Sequence, residues 1–86
     1  MELITSQYVK LADAGQSYAI RNQSKDSNSI LLIVKSTTQP TYNSTTNANA
    51  FKIKLDETIS SNDLPGIIWG APLNKSVSFA IQTWTA

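Results

Sequence analysis

The chain predicts an all-β domain, an antiparallel β-sandwich or small barrel, on three observations. Apolar residues recur with period two in several segments, the spacing of a strand with one buried face. Clusters of Gly, Pro, Asn, Asp and Ser punctuate the chain roughly every ten to fifteen residues. No convincing helical pattern lies between those clusters, which favours sheets closing on one another.

The elements follow in order. The opening "LITSQYV" reads two ways. Ile4, Tyr8 and Leu11 fit one helical face, whereas Thr, Tyr and Val favour a strand. "DAGQ" at 13–16 is a turn, and "SYAIR" after it sets Tyr18 and Ile20 on one side. "NQSKDSNS" at 22–29, full of residues that bond their own backbone, reads as a hairpin connection. "ILLIV" at 30–34 is continuously apolar, as expected of a central strand covered on both faces. In "FKIKL", Phe51, Ile53 and Leu55 alternate with two lysines. "LPGI" at 64–67 fits a type II turn, with Pro65 fixing φ and Gly66 supplying its positive φ. "GIIWG" is a short strand bounded by glycines, and "APLNKS" at 71–76 closes a last hairpin into "SVSFAIQTW". The expected core is Ile20, Leu32, Ile33, Val34, Phe51, Ile53, Leu55, Ile68, Val77, Phe79 and Ile81, with Trp69 beside it.

With 86 residues the chain forms one domain, 1–86. A domain of this size buries roughly 60% of the surface its unfolded chain exposes, so support from a neighbour is expected. Charged residues make up 15% of the sequence, well below the roughly 25% of ordinary soluble domains. Ser, Thr, Asn and Gln supply the polarity instead. Such a surface suits a protein that lives against other protein.

The same composition excludes much chemistry. Seven basic and six acidic residues leave a net charge of +1 with no basic run, so nucleic acid is not an expected partner. The longest apolar run is far too short to span a membrane. "MELITSQYVKL" lacks the basic and apolar regions of a secretory leader, and synthesis in a cytoplasm is expected. Histidine and cysteine are absent, which removes the commonest general base and the best transition-metal ligands. Asp56 and Glu57 are adjacent, but strand neighbours point to opposite faces and do not share a proton. Asp26, Ser27 and Asn28 match no calcium-loop spacing and read as a polar tip. Catalytic, metal-ligating and cofactor-binding residues are therefore expected to be none. Three N-x-[ST] triplets, at Asn22, Asn43 and Asn74, are chance products of a chain rich in those residues.

Protein contact is the remaining role. Trp84 has the opposite parity to Val77, Phe79 and Ile81, so it shares an outward face with Ala80. Interfaces are enriched in Trp and Tyr. A last strand covered on both faces within one subunit accounts for Trp84 equally well. "PTYNSTTNANAF" at 40–51 is a long, uncharged connection with no apolar period. Connections of that length are usually functional or mobile. Residues 37–50 are expected to form an exposed arm or long hairpin that orders on a neighbour, with Tyr42, Asn43, Thr45 and Asn47 as contacts. A floppy tip without a partner is the plainer alternative.

"SYAIRNQS", "AFKIKLDETIS", "GIIWGA" and "SVSFAIQTW" together resemble small all-β structural proteins of tailed bacteriophages. Those proteins share an N-x-S turn, an F-x-L-x-x-x-E segment and an I-W/Y-A strand before a closing strand. The resemblance covers about residues 16–84 and departs from the family at Leu55-Asp56-Glu57, where P-G-E is usual. It implies a virion localisation and a non-enzymatic role, foremost as a capsid decoration or cement protein on a phage head. The implied partners are the major capsid protein or another virion protein, and further copies of the chain, a trimer included. A receptor- or carbohydrate-binding tail or fibre module using Tyr42 and Trp84 is the second expectation. A small phage-encoded accessory enzyme or inhibitor is the third.

Overall fold

The computed structural model describes residues 2–3, 7–24, 29–62, 66–73 and 77–85. The chain folds as two four-stranded antiparallel sheets, with strand orders β1-β8-β3-β6 and β2-β7-β4-β5. The strands are β1 (Glu2–Leu3), β2 (Val9–Ala12), β3 (Gln16–Asn22), β4 (Leu31–Lys35), β5 (Phe51–Ile53), β6 (Thr58–Ser60), β7 (Ile68–Pro72) and β8 (Val77–Thr85). A short helix, α1 (Ser44–Asn49), lies between β4 and β5. The predicted all-β sandwich is what the chain adopts.

The inner faces of both sheets meet in one core. Tyr18 and Ile20 of β3, Val77 and Phe79 of β8 and Ile59 of β6 come from the first sheet. Leu31 and Ile33 of β4, Ile53 of β5, Ile68 of β7 and Ala12 of β2 come from the second. Alternate residues of each strand thus face the same space, as a pleated strand requires. Leu32, between two inward neighbours, is also fully buried, but in a second cluster with Tyr8, Ala50 and Ala71 on the outer face. β4 is therefore covered on both sides, as its unbroken apolar run requires.

Several expectations need correcting. Phe51 is 54% exposed. It pairs with Ile33 but begins a three-residue strand at the edge of its sheet, where one side has no neighbouring strand. Val34 and Trp69 pack half-buried on the outer cluster instead of in the main core. Leu55 follows β5 and is only partly buried, while Ile81 packs against the main core without being enclosed. Neither 22–29 nor 71–76 closes a hairpin. The first links β3 to β4 and the second β7 to β8, and both cross from one sheet to the other. Residues 63–65, which hold most of the expected type II turn, and 25–28, with Asp26 to Asn28, lie outside the described residues. Gly66 does have the positive φ expected of it, 114°. The 13–16 turn forms as read, with Gly15 at φ 81° and the Gln16 amide donating to the Asp13 carbonyl. Of the opening segment, Leu3 ends β1 and Val9 begins β2, while residues 4–6, with Ile4, lie outside the described residues.

One buried polar side chain binds the sheets together. Asn22 continues the inward face of Tyr18 and Ile20, yet is fully buried. Its amide nitrogen donates to the carbonyls of Ser29 at 2.9 Å and Ile53 at 2.8 Å. Its oxygen accepts from the Ser24 amide at 2.9 Å. A buried amide is tolerated because its donors and acceptor are used.

Candidate functional site

The residues singled out in the sequence divide between the two outer faces of the sandwich. Tyr42, Asn43, Thr45 and Asn47 lie in the β4–β5 connection, beside the second sheet. Ala80 and Trp84 lie on β8 of the first sheet. They do not form one surface.

The β4–β5 connection joins adjacent antiparallel strands and is in that sense a long hairpin. It does not project as an arm. Asn43 caps α1, its side chain accepting from the Thr46 amide at 2.8 Å. This is how a six-residue segment without apolar spacing begins a helix. Lys52 closes the other end, its ammonium donating to the carbonyls of Asn47 and Ala48, each at 3.3 Å. A cation there meets the last helical carbonyls, that of Asn47 also accepting from the Ala50 amide, at the negative end of the helix dipole.

Three contacts hold the connection onto its own sheet. The Tyr42 hydroxyl lies 2.6 Å from the Pro72 carbonyl and 2.9 Å from that of Leu73, so its single proton is shared between them. The Tyr8 hydroxyl donates to Asn47 Oδ1 at 2.7 Å. Gln39 Nε2 donates to the Tyr8 carbonyl at 2.8 Å. The two tyrosine rings lie 5.7 Å apart and are tilted by 47°. Burial pushes the Tyr8 phenol above its usual range, and the nearby Tyr42 adds to the shift. Tyr42 and Asn47 are thus occupied within their own domain, whereas Asn43 and Thr45 remain exposed.

The first sheet's outer face is built differently. Strand register places Ser17 beside Trp84, Ala19 between Gln82 and Ser60, and Arg21 between Ala80 and Thr58. Small side chains leave an open depression of about 480 Å³ bordered by Ala19, Arg21, Thr58, Ala80 and Gln82. Trp84 stands further along β8, 47% exposed, as its parity predicts. Among the described side chains of β3, β6 and β8 on this face, Arg21 is the one charge, and Asp56 Oδ1 lies 3.2 Å from its guanidinium.

The Asp56-Glu57 pair has no shared chemistry. Asp56, at φ 64°, occupies a turn and meets Arg21. Glu57 turns back to accept from the Lys54 amide at 2.7 Å. Among the described residues no group of three acidic, His or Cys side chains could hold a metal ion. No described helix is long and apolar enough to cross a membrane.

Reading the sequence alone missed the Tyr8–Tyr42 pair, Asn22 and the depression around Ala80. Asn22 could have been found, because an amide two residues beyond Tyr18 and Ile20 continues an apolar face. The depression depends on which strands adjoin β3, and alternation along one strand carries no such information. No family model, curated protein or solved structure matches the chain.

Proposed function

We propose that this chain is a non-enzymatic structural domain that docks on another protein through the outer face of β3, β6 and β8, as a decoration or cement protein on a phage head. The observation that carries the docking is Trp84, a large exposed aromatic on a face of small, almost uncharged side chains. Flat β-surfaces of Ser, Ala and Thr cost little to desolvate compared with charged ones. Aromatic anchors that become buried are among the few residues that dominate the affinity of such a contact. Among the described side chains of these three strands the one charge, Arg21, is already paired with Asp56, so they impose little electrostatic selection. The virion setting rests on the resemblance of the strand sequences to small phage structural proteins.

The second reading, a carbohydrate-binding tail or fibre module, draws on the same place. Trp84 offers a stacking plane, and Gln82 and Arg21 border the adjacent depression.

Quantitative mass spectrometry of purified virions, with parent chain and with Trp84→Ala, tests the first reading. Parent chain at a fixed copy number and depleted variant are expected. Parent chain absent from particles rejects the virion role. Equal occupancy by a folded Trp84→Ala variant rejects the face. Binding to a glycan array that is lost in Trp84→Ala moves the assignment to the second reading.

A further inference from the structure

We propose that residues 37–50 are a releasable strap, which lifts from the second sheet as a unit while the sandwich beneath stays folded. The proposal stands apart from the docking face, since it concerns the opposite side of the molecule. The strap contributes only Tyr42 and Ala50 to the outer apolar cluster, and its helix buries no residue. Six residues are far short of the length at which a helix holds itself together in water. Its sequence, Ser-Thr-Thr-Asn-Ala-Asn, holds poor helix formers except for Ala48. What fixes it is a short list of polar contacts: Tyr42 on the Pro72 and Leu73 carbonyls, Tyr8 on Asn47, Gln39 on the Tyr8 carbonyl, and Lys52 on the last helical carbonyls. Segments with few buried apolar contacts open at lower free energy than the core they rest on.

Opening has a defined consequence. Tyr8, 1% exposed when the strap is closed, lies with Leu32 and Ala71 under it, so release presents an apolar strip flanked by Val34 and Trp69. The main core, with Tyr18 in it, is untouched, because Tyr18 lies between the sheets. The two buried tyrosines therefore report on different events, Tyr8 on the strap and Tyr18 on the sandwich.

Nitration of the native chain by tetranitromethane, read by peptide mass spectrometry, separates them. Tyr8 is expected to react under conditions where Tyr18 stays protected. Tyr42→Phe removes the shared hydroxyl and keeps the ring. It is expected to speed nitration of Tyr8 by about two- to tenfold, the equivalent of one hydrogen bond, and to leave Tyr18 unchanged. Native-state hydrogen exchange gives a second readout, with the Asn47 and Ala50 amides opening ahead of those between β3 and β8. Equal protection of Tyr8 and Tyr18 up to global unfolding overturns the strap. So does a Tyr42→Phe variant in which both tyrosines accelerate together or neither does.

Discussion

The side-chain amide of Asn22 donates to the Ile53 carbonyl at 2.8 Å, tying an inner strand of one sheet to the edge strand of the other. Removing it strands two carbonyls and the Ser24 amide in a buried place. Asn22→Ala is therefore expected to cost about 2–4 kcal/mol in urea unfolding. Asn22→Asp should be no better, since it sets a carboxylate oxygen against those carbonyls. A loss under about 0.5 kcal/mol, typical of a surface site, would contradict the role given to this amide.

The two phenylalanines should behave oppositely. Phe79 is 1% exposed in the main core, and Phe79→Ala should cost about 3–5 kcal/mol, enough to threaten folding in so small a domain. Phe51, more than half exposed, should tolerate alanine with a loss below about 1 kcal/mol. Melting curves of the pair decide it, and comparable losses would return Phe51 to the core.

Alkaline pH should weaken the outer cluster. Tyr8 holds its proton more tightly folded than unfolded, because burial, and then Tyr42, disfavour the phenolate. The unfolded chain then binds fewer protons than the native one as pH rises past the ordinary tyrosine value of about 10. This contribution is complete below that value and lost as pH climbs towards the raised native one. Thermal melting from pH 8 to 11 should show a steeper fall for the parent than for Tyr8→Phe. Parallel curves would mean that Tyr8 contributes nothing to the alkaline loss.

Trp84→Ala should leave the isolated fold within about 1 kcal/mol of the parent, because nearly half the indole already faces water. Urea unfolding of the purified domain checks this separately from its occupancy on particles. A large loss would show that the indole's buried half, and not a partner, accounts for its presence.

Much of this was legible in the residues. Alternation in β3 and β8 gave the inward faces of Tyr18, Ile20, Val77 and Phe79, and the outward one of Trp84. The unbroken β4 run announced its two covered sides. Alternation is local, however, and which strand lies beside which is not. So 22–29 and 71–76 passed for hairpins although both change sheets. Phe51 pairs with inward Ile33 but opens a short edge strand and stays exposed. The helix escaped notice because its side chains face water and leave no apolar period; Asn43, ahead of an amide it could cap, was the available clue.

Every connection in this chain except β4–β5 passes from one sheet to the other. Strands that are neighbours in sequence are thus seldom partners, and β3 must wait for β8. During synthesis β8 leaves the ribosome after all the other strands, yet it takes an inner position, flanked by β1 and β3. Until it arrives, β3 has only the three-residue β6 to pair with, and the first sheet's half of the core lacks Val77 and Phe79. Non-local pairing of this kind makes folding slow. The nascent chain accordingly passes through a stage in which every strand of the second sheet has its partners while β3 still lacks its longest one, and the first sheet is completed only when β8 inserts.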